Sequence, residues 1–334
     1  MYIGWIPHYI PILFGLLAFL VNPIFVYLVF TGKSMILGNY RFLLLYFAIF
    51  NVVYSILEIA VPIGVSGYRY CFYLFLTDGF FEKSSVFNHY ILTIRCSMLS
   101  CSYAILVSHF VYRYLVIQSS KYTNTRFPHF MAGSFGLCFV YFLFFAWICE
   151  CWVYAPDYLK EYFREDFIRE YGSDPKNFNM FTGIYNEANS EDIIRTWCGV
   201  IMLVILSGGS ISVYFFFGYK IMKKLNEAGA LASMSQDTAT LQRKLLKALT
   251  VQTIIPICIS FAPSVVVWLS PVFNVSMGRI YNHTGTVALS AFPFFDPVAI
   301  IFFLPVLRHR LYKAKPSEIP TRSVSVTMTT LHIP

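Results

Sequence analysis

The stretch from His89 to Gln118 constrains this chain most. It is apolar over about thirty residues, with Arg95 near one end and His109-Phe110-Val111-Tyr112-Arg113-Tyr114 near the other. At about 1.5 Å per residue, a helix of that length exceeds the roughly 30 Å of a bilayer's hydrocarbon core. Such a rod crosses a membrane, and an arginine within it needs a protein or water partner. It reads as the central helix of a bundle, with a sensing end at Arg95 and a signalling end at Arg113.

Six further apolar runs accompany it, and 57% of the 334 residues are hydrophobic against 13% charged. That balance excludes an ordinary soluble domain. The expected fold class is an all-α membrane protein, a seven-transmembrane helix bundle over residues 1–306. Its spans are placed at about 10–30, 42–65, 89–118, 130–153, 196–219, 245–270 and 283–306, with Gly208-Gly209 interrupting the fifth. A tail, 307–334, is basic, then rich in Ser and Thr, and is expected to be mostly disordered. Its Thr321, Ser323, Ser325, Thr327, Thr329 and Thr330 are candidate phosphorylation sites.

Lysine and arginine collect in alternate loops, as in Lys33, Arg41, Lys121, Arg126, Lys220 and Lys244, and continue into the tail. The opposite loops hold most of the acids, so the N-terminus is expected outside and the C-terminus in the cytoplasm. The net charge of +8 therefore reflects a lipid bilayer, and no nucleic-acid partner is expected. Two glycosylation sequons, at Asn274 and Asn282, fall in the loop between spans six and seven, on the expected outer side.

The segment from Ser66 to Asn88 reads as a polar loop. The longest connection, Tyr154–Arg195, carries nine acidic and five basic residues. Within it Leu159, Tyr162, Phe163 and Phe167 recur at near-helical spacing, which points to an amphipathic helix that could cover a pocket. Gly172 and Asp174-Pro175 mark a turn.

Glu58 and Arg95 lie about 10 Å deep on neighbouring spans, counted from the outer ends. They are expected to form an ion pair beside the ligand pocket; the alternative is a neutral Glu58 and an Arg95 that reaches outward. Met98, Leu99, Ser102 and Tyr103 of span three and Trp268 of span six are candidate lining. Pro256 and Pro263, seven residues apart, bend span six on nearly one face. Asp296-Pro297 puts a carboxyl midway through span seven, where it must be neutral, hydrated or bonded to another helix. His109, one turn before Arg113, reads as a packed, hydrogen-bonded side chain. Eight cysteines show no zinc spacing, and neither a metal nor a cofactor is expected. Catalytic motifs such as His-Glu-x-x-His are absent, and no enzyme is expected.

Several motifs resemble the nematode serpentine chemoreceptors of the Str class, with the diacetyl receptor as an expected relative. They are Leu37-Gly38-Asn39-Tyr40-Arg41, the His109–Tyr114 run, Leu241-Gln242-Arg243-Lys244-Leu245-Leu246-Lys247-Ala248-Leu249 with Gln252–Pro256, and Phe294-Phe295-Asp296-Pro297 before Arg308. The resemblance implies a G-protein-coupled receptor for an odorant or other small molecule. It further implies a heterotrimeric G protein as partner and the ciliary plasma membrane of sensory neurons as location. It assigns His109, Tyr112, Arg113 and Tyr114 to coupling, and Pro256, Pro263, Asp296 and Pro297 to the switch between states. Two devices of rhodopsin-like receptors are missing: Tyr112 replaces the acid before the arginine, and Asn88 stands where a disulfide cysteine is expected. Cys71, Cys149, Cys151 and Cys198 remain candidates for a substitute bond. The rival reading, a seven-helix ligand-gated channel or transporter, predicts internal repeats that the sequence does not show.

Overall fold

The structure, a computed structural model, describes residues 4–31, 37–77, 79–227, 236–255, 257–258, 262–275 and 278–313. Its long helices are α1 (Trp5–Phe30), α2 (Tyr40–Ala60), α3 (Val86–Ile117) and α4 (Phe127–Trp152). Two short helices follow, α5 (Asp157–Tyr162) and α6 (Arg164–Tyr171), then α7 (Ser190–Asn226), α8 (Gln236–Ile255), α9 (Ala262–Leu269), α10 (Gly278–Phe303) and α11 (Pro305–Lys313). Among the described residues six helices are long and apolar enough to cross a membrane, and α8 with α9 takes the place of span six. The fold is mostly helical and consistent with a seven-transmembrane bundle.

The centrality of span three is borne out. In its most apolar stretch α3 is 83% buried, whereas α4 and α7 are 22% and 17% buried. A helix apolar all round and buried all round has neighbours on every side. The exposed apolar side chains of α4 and α7, among them Phe139, Val140, Ile205 and Phe215, form a surface that suits lipid. Ser100, Ser102 and Ser108 of α3 return their hydroxyls to carbonyls three or four residues back, whereas the buried Ser97 hydroxyl has no hydrogen-bond partner among the described residues.

Three features of the spans depart most from the sequence reading. Gly208-Gly209 does not interrupt α7, which runs unbroken for 37 residues; a helix-interior glycine costs only about 1 kcal/mol. Span two ends at Ala60, and the chain beyond it turns into strand. The tail begins as helix α11, which Leu307 anchors in the core while Arg310 donates to the Leu28 carbonyl at 2.6 Å. Residues 314–334, with the candidate phosphorylation sites, lie outside the described residues.

The larger departure is a three-stranded antiparallel sheet at one end of the bundle. Its strands are β1 (Ile63–Tyr68), β2 (Cys71–Leu76) and β3 (Met180–Ile184), in that order. Thus the all-α description holds for the bundle and not for the segments above it. Strand β2 is covered on both faces. Cys71, Tyr73 and Phe75 pack upward on Leu159, Phe163 and Phe167 of the α5–α6 region, and Tyr73 stacks on Phe163 at 4.4 Å. Phe72 and Leu76 pack downward on the bundle with Phe145, Cys149 and Val153. The expected amphipathic helix is broken at Phe163 into two pieces, and Gly172 ends the second in a left-handed conformation, φ 69°.

On the solvent side of this cover lies a charged lattice: Arg164 Nη2 meets Asp174 Oδ2 at 2.6 Å, and Lys176 Nζ meets Glu161 at 2.6 Å. The Arg164 guanidinium holds the Asp174 carboxyl below its ordinary range. A depressed acid contributes stability above its unfolded pKa and loses it as pH falls through the folded one. Acidification below about pH 4 is therefore expected to loosen the α5–α6 cover before the bundle, read as faster hydrogen exchange across 157–184.

Candidate functional site

Between the sheet and the bundle lies a cavity of about 70 Å³. Phe72, Leu74, Ile63 and Val65 roof it; Leu99, Phe145, Trp268 and Leu289 wall it. Arg95 is its charged lining residue, and Tyr54 stands beside it. The sheet and the bundle are stitched together where the Tyr185 hydroxyl donates to the Trp268 carbonyl at 2.8 Å.

The Glu58–Arg95 pair forms, with Nη2 2.7 Å from Oε1. Arg95 is 1% exposed, its Nη1 donates to the Tyr54 hydroxyl at 3.2 Å, and its guanidinium lies 4.8 Å over the Tyr54 ring. The outward-reaching Arg95 is thereby excluded. Glu58 sits behind the arginine and does not line the cavity.

Of the candidate lining residues, Leu99 and Trp268 face the cavity. Met98 does not; two residues past Cys96 it points roughly opposite, into a groove with Tyr46, Phe135 and Cys138. Ser102 and Tyr103 lie deeper: Ser102 bonds the Leu99 carbonyl, and Tyr103 packs with Leu99, Leu289 and Ile257. The aromatic roof was missed because a strand buried on both faces shows no alternation to read.

At the other end of α3 the motifs converge. The Arg113 guanidinium lies 3.4 Å over the Tyr40 ring, and its Nη1 donates to Gln242 Oε1 of α8 at 3.3 Å. Arg113 is 3% exposed, so it is packed between helices rather than reaching for the interface. Tyr112 stacks on the same Tyr40 ring at 5.5 Å, and the Tyr40 hydroxyl meets His109 Nδ1 at 2.9 Å. His109 is the packed, hydrogen-bonded side chain expected of it. Tyr114 turns outward to Phe217 of α7. Tyr40 and Gln242 were not singled out from sequence, although both stand inside the motifs that carry the resemblance.

In the last two turns of α10, Pro297 has no N–H for the carbonyl four residues back, that of Pro293. The Asn22 amide of α1 donates to that carbonyl at 3.1 Å, and Asn51 of α2 approaches Asn22 at 3.5 Å. Asp296 is buried beside this repair, and among the described residues its Oδ1 has no hydrogen-bond partner. Asn22→Ala is expected to leave the Pro293 carbonyl unsatisfied and cost about 1–3 kcal/mol, read as a lower melting temperature of the detergent-solubilised protein. Pro263 is the second residue of α9; Pro256, and residue 259 that stands four before Pro263, lie outside the described residues.

Asn274 is exposed at the end of a 3-10 turn. Asn282 lies inside α10, not in the loop expected for it, because that helix begins at Gly278. The eight cysteines form no disulfide among the described residues. Cys71 instead packs its sulfur 3.1 Å from the Thr182 hydroxyl, and burial pushes its thiol up to about 12.

A lipid-facing helix bundle with a roofed cavity at one end and an arginine knot joining α2, α3 and α8 at the other defines the class: a seven-transmembrane receptor. The model of the family described as Serpentine type 7TM GPCR chemoreceptor Srj matches residues 1–311. The chain is 43% identical to the Caenorhabditis elegans protein Serpentine receptor class J-38, over 92% of each chain. Identity falls to 24% with Serpentine receptor class r-10 of that species, over 89% of this chain and 87% of the relative. With its G-protein coupled receptor str-33 it is 22%, over 87% and 85%. The chain belongs to the Srj family of serpentine chemoreceptors and is a multi-pass membrane protein. The Str class and the diacetyl-receptor likeness expected from the motifs are corrected by these matches: Srj is a different class, and motifs placed at the same points of the fold do not separate the two.

Proposed function

We propose that this chain takes a small-molecule stimulus in the cavity under the sheet and activates a heterotrimeric G protein at the Arg113 end. The observation that carries it is the joining of both places by one buried helix, α3, with Leu99 at the cavity and Arg113 at the knot. The sheet, the exposed Asn274 and the N-terminus face outside, and α11 lies on the cytoplasmic side, as the distribution of lysine and arginine supports. The α5–α6 region serves as a lid. Asp296 and Pro297, with Pro256 and Pro263 of span six, supply the element whose balance the ligand biases. The family points to the plasma membrane of chemosensory neurons and to their cilia. Expression with a promiscuous G protein and a screen of small compounds tests the reading. Leu99→Trp, which fills the cavity, should reach the surface and lose every response; responses that survive it overturn the assignment.

A further inference from the structure

We infer that the stimulus is an uncharged, compact, largely apolar molecule with one hydrogen-bond acceptor of carbonyl type, a ketone, aldehyde or ester. This rests on the reading that the cavity is the ligand site and specifies what that site accepts.

Three observations converge. The first is size. On the measure by which one water needs about 10–15 Å³, the cavity of about 70 Å³ admits a compact organic molecule and excludes an oligosaccharide or a peptide of more than a few residues. The second is hydrogen-bonding capacity. The lining is apolar but for Arg95, Tyr54, Thr286, the indole N–H of Trp268 and two thiols. A guanidinium has five N–H donors; Nη1 donates to the Tyr54 hydroxyl, and Nη2 stands 2.7 Å from Glu58 Oε1 as an ion pair without hydrogen-bond geometry. Its Nε–H has no acceptor among the described residues, in a side chain 1% exposed. A buried donor without an acceptor is the feature a ligand oxygen would satisfy.

The third observation decides the charge. Arg95 is a cation, and on that ground alone a carboxylate would be the natural ligand. The Glu58 carboxylate, 2.7 Å away and itself buried, has already neutralised it. A second anion would leave one uncompensated negative charge in an apolar enclosure, and an ammonium ligand would leave one positive charge. Both are strongly disfavoured. A carbonyl oxygen accepts from Nε–H and leaves the ion pair balanced. Glu58 therefore acts as a charge filter from behind Arg95, without touching the ligand.

The probe is a matched series of four- to eight-carbon chains, each presented as alkane, 2-ketone, aldehyde, carboxylate and primary ammonium. G-protein activation and the thermal shift of the purified receptor are read at neutral pH. Ketones and aldehydes are expected to act about tenfold more potently than alkanes, the difference one added hydrogen bond makes. They should exceed the charged members by about a hundredfold. Carboxylates as potent as ketones, both lost in Leu99→Trp, would overturn the neutral-ligand inference while leaving the cavity as the ligand site. Activity that persists in Leu99→Trp overturns the cavity assignment instead. Silence of the whole series, with receptor present at the surface, also overturns the ligand class.

Glu58→Gln removes the counter-charge, so hexanoate should become a better ligand than 2-hexanone and should raise the receptor's surface level by pairing with Arg95. No such reversal in a surface-expressed variant refutes the filter. Should Glu58→Gln fail to fold, Glu58→Leu combined with Arg95→Met removes both charges with apolar groups. That receptor should lose the preference for ketone over alkane, and a retained preference refutes the role of Arg95.

Discussion

Arg113→Ala is expected to reach the cell surface and to lose stimulated G-protein activation by at least about tenfold. In the structure Arg113 is held on the Tyr40 ring and on Gln242 of α8, so it ties α2, α3 and α8 into one knot. The proposed role needs the cation itself once α8 moves away. Gln242→Leu makes the contrast. It removes only the acceptor, a hydrogen bond to a charged group worth about 1.5–3 kcal/mol, and leaves the arginine free to engage a partner. Basal signalling should rise in Gln242→Leu and fall in Arg113→Ala. If both variants change signalling in the same direction, Arg113 is only a structural tie. Dose–response curves at matched surface expression decide it.

The second large effect is charge reversal at the buried pair. Glu58→Arg and Arg95→Glu each place two like charges at a 2.7 Å contact in the bundle interior. Breaking such a pair costs about 3–5 kcal/mol, a large part of a domain's net stability of about 5–15 kcal/mol. Each single reversal should therefore retain most of the protein inside the cell. The double reversal restores opposite charges and should recover surface expression, though not the Tyr54 contact that orients the guanidinium. Surface labelling of the three variants is the measurement. If the double variant shows only the sum of the two single losses, the pair is not a coupled unit.

The Glu58–Arg95 contact was legible in sequence because a charge inside an apolar run is costly, and depth along a helix follows from residue count alone. By the same arithmetic, six of the expected spans fall on helices that, among the described residues, are long and apolar enough to cross a membrane. What failed were places where two explanations leave the same trace. Tyr40 stands at a helix end, where tyrosine is common as an interface anchor, so nothing marked it as the ring under Arg113. Strand β2, Cys71–Leu76, is apolar at every position because the α5–α6 cover packs on one face and the bundle on the other; period-two alternation appears only when one face meets water. Asn22 is a lone polar residue in an apolar run, and nothing in the sequence marks it. Its purpose appears only when the carbonyl freed by Pro297, 271 residues on from Asn22 to Pro293, is brought beside it. Rotation about α3 removed Met98 from the cavity, and depth along it removed Ser102 and Tyr103. Sequence spacing resolves the depth of a side chain better than the direction of a helix face.

The Tyr185–Trp268 stitch has a consequence for time. Where a molecule passes the sheet that roofs the cavity, the sheet's hydrogen bond to the bundle opens before it enters and again before it leaves. A gate of that kind slows association and dissociation by the same factor and leaves the equilibrium constant untouched. The receptor should then hold a brief pulse of stimulus beyond the pulse itself, integrating concentration over its own residence time. Tyr185→Phe, which removes the bond and keeps the ring, should shorten the decay of the response after washout without moving the half-maximal dose.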